Sequence, residues 1–151
     1  MKANLKWVVI VLPILAACTR YPTQQVYQGV DIKVASIERM NEWKQGMMST
    51  TVPRNPGDDV AVIHLEFKST GGQKQIKFDH SEIVLIDSQG NKHKAEEALT
   101  FTVGGDKPLP WEIAFAVPKV AGLKTLQLGG ARFDLEKIKP AQKTEQPAPV
   151  K

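Results

Sequence analysis

The amino-acid sequence predicts an all-β fold, a β-sandwich of about seven strands. Short segments alternate apolar and polar residues, which is the pattern of strands with one buried and one solvated face. Turns rich in glycine separate these segments at intervals of about eight to twelve residues. No long segment has the spacing of an amphipathic helix, so both layers of the fold are predicted to be sheets.

The first segment, residues 1–17, is predicted to be a secretory signal peptide. Lys2 and Lys6 supply its positive charge, residues 7–15 are apolar, and Ala16-Ala17 have the small side chains that precede a cleavage site. The apolar run is much shorter than the roughly 20 residues that a transmembrane helix needs. A cleaved leader is therefore favoured over a transmembrane anchor.

The leader is followed by Cys18, the single cysteine among 151 residues. The run Leu15-Ala16-Ala17-Cys18 resembles the lipobox of bacterial lipoproteins. That resemblance implies cleavage between Ala17 and Cys18 and three acyl chains on the cysteine, where two already suffice for stable membrane anchoring. Thr19 follows in place of the aspartate that retains such proteins at the inner membrane, so in a Gram-negative cell the family pattern implies the outer membrane, facing the periplasm. The alternative is a secreted protein with an unmodified thiol.

Polar, proline-containing segments flank the predicted domain. Residues 18–27 are interpreted as the lipidated cysteine and a tether. The domain is predicted to span residues 28–138. Residues 139–151 are rich in Pro, Lys, Gln and Ala and are predicted to form a disordered tail.

The strand pattern is clearest in residues 59–68, where Ile63, Leu65 and Phe67 alternate with polar residues. This alternation predicts a strand with one face in the core. Residues 94–99 are predicted to form one helical turn. The other predicted strands are residues 30–37, 76–79, 82–87, 100–103, 111–117, 123–128 and 131–138.

Three turn motifs resemble the telokin-like, immunoglobulin-type domain of many bacterial lipoproteins and secreted proteins. Residues 69–71 end a strand, residues 85–90 fit the motif L-x-D-x-x-G, and residues 115–118 fit F-x-V-P. The resemblance covers roughly residues 28–136 and implies an immunoglobulin-like β-sandwich. It implies no catalytic residue, because the family shares none.

Residues 39–58 interrupt the strand rhythm and are predicted to form a long loop, an extra segment relative to the family pattern. Trp43, Met47 and Met48 belong to residue types enriched in interface cores, so they are predicted to contact a partner protein. The alternative is an insertion whose Trp43 and Met47 pack against the sheet.

Few residues suggest chemistry. Thioether and imidazole ligands suit copper, but the histidines lack short ligand spacings. The carboxylates of Asp87, Glu96 and Glu97 could form an acid pair, yet no nucleophile motif or phosphate loop occurs. We therefore predict no catalytic residue, no metal and no cofactor. The side chains considered for copper are His64, His80, His93, Met40, Met47 and Met48.

The charge balance argues against a nucleic-acid partner. The net charge is +4, and removal of the leader leaves 18 basic and 16 acidic residues, evenly spread. The sequence thus predicts a lipid-anchored envelope protein that binds an envelope protein partner or supports an assembly without catalysis. The alternatives are a periplasmic copper-binding protein and, third, a hydrolase.

Overall fold

The fold consists almost entirely of β-strands. The structure, a computed structural model, describes residues 21–45, 49–51, 53, 55–95 and 97–138. Within these ranges it contains no α-helix, twelve strands and one 3-10 turn at His80–Glu82. The strands are β1 (Gln24–Tyr27), β2 (Val30–Met40), β3 (Trp43–Gln45), β4 (Ser49–Thr51), β5 (Asp58–Ser69), β6 (Lys74–Phe78), β7 (Ile83–Asp87), β8 (Lys92–Lys94), β9 (Leu99–Val103), β10 (Leu109–Pro118), β11 (Leu123–Leu128) and β12 (Ala131–Asp134).

Two four-stranded antiparallel sheets form the layers of the sandwich. The front sheet has the strand order β1-β2-β5-β10, and the back sheet has the order β12-β11-β7-β8. The pairs β3–β4 and β6–β9 form two-stranded sheets of their own. The predicted all-β sandwich is confirmed, with more strands than the seven expected because several strands are only three to five residues long.

One hydrophobic core lies between the two sheets. In β5, Ile63, Leu65 and Phe67 are at most 1% exposed while the intervening His64 and Glu66 are partly exposed, as the alternation predicted. Both sheets contribute to the same cluster, so the layers share one interior. The largest fully buried side chains are Phe67, Phe78, Phe115, Phe133, Ile32, Ile63, Leu65, Ile76, Ile83, Leu85, Leu126 and Leu128.

The predicted loop over residues 39–58 is largely wrong. Residues 39 and 40 complete β2, and the short strands β3 and β4 pair as a hairpin with Trp43 opposite Thr51. Trp43 lies on the outer face of the front sheet against Val60, Val62 and Ala114. A second, smaller hydrophobic cluster therefore covers part of the sheet face that lies away from the core.

The predicted tether over residues 18–27 is wrong for its last four residues. Gln24–Tyr27 is β1, which pairs antiparallel with the start of β2 in the front sheet. The domain therefore begins before residue 28. The signal peptide, Cys18 and the predicted tail at 139–151 lie outside the described residues.

The predicted helical turn over residues 94–99 is also wrong. Lys94 ends β8, Ala95 is 5% exposed against the core, and Leu99 begins β9. Since Ala95 and Leu99 each bury an apolar side chain, tertiary packing determines this segment more than its helix-forming composition does.

Candidate functional site

Three polar side chains meet on the outer face of the front sheet, on neighbouring strands. Glu38 comes from β2, His64 from β5 and Glu112 from β10, and we call them the acid–histidine cluster. His64 Nδ1 lies 3.3 Å from Glu112 Oε1, and His64 Nε2 lies 3.6 Å from Glu38 Oε1. His64 and Glu112 are directly opposite in the β5–β10 register, so the sheet itself holds this pair together.

A β-bulge places Glu38 in this cluster. The β2–β5 register shifts between Val34 and Ser36, so one residue of β2 has no partner. Before the shift Val34 faces the core, and after it Ile37 faces the core while Glu38 points outward. Residues an even number of positions apart on a regular strand lie on the same face. Without the extra residue, Glu38 would therefore lie on the same face as Val34 and point inward. The sequence analysis missed this residue because the alternation alone does not reveal a bulge.

Trp43 closes one side of the acid–histidine cluster. Its Nε1–H donates a hydrogen bond to Glu112 Oε2 at 3.1 Å, and the residue is only 7% exposed. Trp43 therefore packs against the sheet, as the alternative interpretation expected, and its predicted contact with a partner protein stays a prediction. Met47 and Met48, the other two predicted contacts, lie outside the described residues.

Trp111, near the start of β10, is a half-buried aromatic side chain that packs against the main core. Its ring stacks on Phe101 with centroids 4.6 Å apart, and Phe101 packs edge-on against Phe67. Its Nε1 is buried and has no hydrogen-bond partner among the described residues. A buried N–H without an acceptor costs free energy, so this group destabilises the fold slightly. The sequence analysis treated Trp111 only as the first residue of a strand.

A depression beside Trp111 connects these groups. It has a volume of about 290 Å³ and is lined by His64, Leu65, Pro110, Trp111 and Glu112. A much smaller cleft of about 20 Å³ is lined by residues that include Trp43, Leu99 and Trp111. The larger depression is a concave, partly aromatic surface with one carboxylate, that of Glu112, which is suited to binding.

The acid–histidine cluster does not form a metal site. The two carboxylates face opposite nitrogens of the His64 ring, so their oxygens do not converge on one point. Among the described residues no group of three or more His, Cys, Asp or Glu side chains could hold a metal ion. The structure does not bring the three histidines together in such a group, since His93 bonds to Asp87 and His80 lies in the 3-10 turn.

Asp87, one of the predicted acid-pair residues, has a structural role instead. Its side chain is fully buried at the end of β7 and accepts hydrogen bonds from the backbone N–H groups of Gln89 and Asn91. Its other oxygen contacts Asn91 Nδ2 at 3.0 Å and His93 Nε2 at 3.0 Å. The hydrogen bond with His93 is the largest cause that holds the pKa of Asp87 below its usual value, against the opposing effect of burial. The carboxylate therefore stabilises the conformation of the β7–β8 turn. The other members of the predicted pair do not join it: Glu97 is exposed, and Glu96 lies outside the described residues.

In the part of the chain that the structure describes, no helix has the length and apolar character needed to cross a bilayer.

Comparisons with known proteins add little to this description. No protein-family model matches the chain, and no curated protein matches it. A crystal structure described as a "putative lipoprotein" (ycdA) from Bacillus subtilis matches with a TM-score of 0.48 and 15% sequence identity. The match covers 78% of this chain and 40% of the other, so the chain spans less than half the length of that protein. A likeness at this level carries no functional argument, and the immunoglobulin-type resemblance stays a prediction.

Proposed function

We propose that the chain is a lipid-anchored lipoprotein of the cell envelope that works as a non-catalytic binding or assembly-supporting module. The observation that carries this proposal is the junction Leu15-Ala16-Ala17-Cys18, which follows a short apolar leader. Tyr21, the first described residue, is already bonded to the sandwich through Arg132. A folded domain thus begins directly after the residue that would carry the lipid.

The surface beside Trp111 supports a binding role. It combines a partly exposed aromatic ring, that of Trp111, with the carboxylate of Glu112 in a concave setting, and a polar group in such a setting orients ligands. A catalytic role has less support. Asp87 is held in a turn, and Nε2 of His64 is buried without a hydrogen-bond partner among the described residues, so it is not exposed to a substrate.

The location and partner follow from the anchor. Thr19 after the cysteine favours the periplasmic face of the outer membrane in a cell with two membranes. We propose the membrane, through the lipid, and an envelope protein as the partners, and the nearly balanced charge gives no reason to add a nucleic acid. Within the ranges that the structure describes, no observation favours the copper alternative.

Mass spectrometry of the native protein tests the anchor. We expect a chain that begins at Cys18 and carries acyl groups. Replacement Cys18→Ser should abolish labelling by a radioactive fatty acid and release the protein from the membrane fraction. Thr19→Ser, which keeps the thiol, is the matched control and should label normally. A native chain that begins at Met1, or one with a bare thiol, would contradict the proposal.

Photo-crosslinking tests the binding surface. A photo-reactive amino acid at Glu112 in intact cells should capture one defined envelope protein, and the same probe at the exposed Lys77 of β6 should not. The crosslink at Glu112 should weaken in a Trp111→Phe background, which keeps an aromatic ring but removes the five-membered ring of the indole and its N–H. Equal capture at both positions would argue against this surface.

A further inference from the structure

The first described residues are fixed to the sandwich by backbone and side-chain bonds. The carbonyl oxygen of Pro22 accepts a hydrogen bond from the N–H of Asp134 at 3.1 Å, and that of Thr23 accepts one from Val34 at 2.9 Å. Arg132 donates to the hydroxyl of Tyr21 at 3.0 Å and lies over its ring at 5.7 Å from the centroid. The point at which the chain joins the domain is therefore fixed.

This point lies at one particular edge of the sandwich. β1 ends the front sheet and β12 ends the back sheet on the same side, where Gln25 Nε2 donates to the carbonyl of Arg132 at 3.0 Å. Tyr27 Oη likewise accepts from the N–H of Gly130 at 3.2 Å. We call this side, formed by β1 and β12, the N-terminal edge. The opposite ends of the two sheets are β10 and β8, so the surface beside Trp111 lies on the far side.

We propose that the N-terminal edge lies against the phospholipid headgroups and that the Trp111 surface faces away from the membrane. This inference rests on the proposed lipidation of Cys18. Three Cα–Cα steps separate Cys18 from Tyr21, and at about 3.8 Å each they span at most about 11 Å. Across the front sheet, three strand spacings of about 4.8 Å separate β1 from β10, ~14 Å in all, so this reach is shorter than the width of the sheet. Because the connection from Cys18 to Tyr21 is this short, the far edge cannot turn towards the bilayer.

The chemistry of the N-terminal edge fits a headgroup layer. Lys124 is exposed beside the end of β12, where its carbonyl accepts from the N–H of Leu135 at 2.9 Å. Arg132 adds a second positive charge, and Val26 of β1 is 61% exposed. Basic side chains attract anionic phosphates, and an exposed apolar side chain gains from the interfacial region. Two acids lie at this edge: Asp134 is paired with Lys137 at 3.4 Å and accepts from the N–H of Glu136, and the side chain of Glu136 is exposed.

Distance-dependent quenching tests this orientation. The full lipidated protein is placed in vesicles of phosphatidylethanolamine and phosphatidylglycerol that contain a lipid with a nitroxide on its headgroup. The thioether of a lipidated Cys18 leaves no free thiol, so one introduced cysteine takes the fluorophore. Glu136→Cys places it at the N-terminal edge, and Lys94→Cys places it on the exposed face of β8 at the far edge.

We expect quenching to be several-fold stronger at position 136 than at position 94. Equal quenching at both positions, in protein whose mass shows a lipidated Cys18, would overturn the orientation and leave the anchor intact. A mass without lipid would instead overturn the proposed function. Insertion of a long Gly-Ser linker between Thr19 and Arg20 should abolish the difference. A difference that survives this insertion would mean that the short connection between Cys18 and Tyr21 is not its cause.

Discussion

At the scale of single residues, Asp87 shows how a turn motif depends on one buried charge. The carboxylate replaces the missing ladder bonds of the β7–β8 turn with bonds to two backbone N–H groups. Gly90 then turns the chain back with a φ of 87°, a conformation that side chains with a Cβ rarely adopt. The aspartate and the glycine of the motif L-x-D-x-x-G therefore have separate physical tasks in the same turn.

The lowered pKa of Asp87 predicts acid sensitivity. The folded protein keeps this carboxylate ionised at pH values where an unfolded chain, with an aspartate pKa of about 3.9, binds a proton. The stability that the carboxylate contributes is therefore present above about pH 4 and is lost as the pH falls below that value. Urea unfolding at a series of pH values from neutral to acidic measures the free energy of unfolding and checks this loss of stability.

Asp87→Asn should lower the free energy of unfolding at neutral pH and flatten its decline in acid. The matched control is Asp106→Asn, because Asp106 is exposed and its loss should change neither quantity. If the free energy of unfolding of the Asp87→Asn protein fell as steeply in acid as that of the wild type, another group would have to account for the acid sensitivity.

At the scale of elements, the β3–β4 hairpin acts as a cover for the outer face of the front sheet. Val60 and Val62 of β5 are fully buried although they lie away from the main core, because Trp43 packs over them. The cover stops at the acid–histidine cluster, where the Trp43 indole bonds to Glu112. The hairpin thus sets the boundary between the apolar and the polar part of this face, and through Glu112 it borders the proposed binding surface.

Trp43 should therefore be a stability residue rather than a contact residue. We expect Trp43→Ala to lower the free energy of unfolding by about 3 kcal/mol, since it uncovers the apolar cluster. Trp43→Phe retains most of the ring area but loses the hydrogen bond to Glu112, and should cost about 1 kcal/mol. Val120→Ala is the control, because Val120 is 90% exposed. Chemical denaturation measures all three, and a neutral Trp43→Ala would contradict this role.

At the scale of the whole molecule, the sequence predicts the sandwich well because period-two alternation reports directly on burial. It predicts β5 nearly to the residue, since the alternation of Ile63, Leu65 and Phe67 with polar residues is typical of a strand with one buried face. It fails for β1, which pairs with the adjacent β2 through backbone groups and carries few apolar side chains, so its composition resembles a linker. The acid–histidine cluster cannot be found in the sequence for a different reason, because Glu38 and Glu112 meet His64 only through strand register and a bulge.

The extent of the folded domain leads to a prediction about where the chain can be shortened. A chain of residues 19–151 keeps the bonds from Pro22 and Thr23 to the sheets, whereas a chain of residues 24–151 loses both, together with the contact between Tyr21 and Arg132. Each backbone hydrogen bond contributes roughly 0.5–1.5 kcal/mol, so the shorter chain should be less stable by about 1–3 kcal/mol. Tyr21→Phe in the longer chain, which removes only the hydroxyl, should cost less than this. Urea unfolding of the three proteins compares them directly, and equal stability of the two chains would mean that residues 21–23 are part of the tether after all.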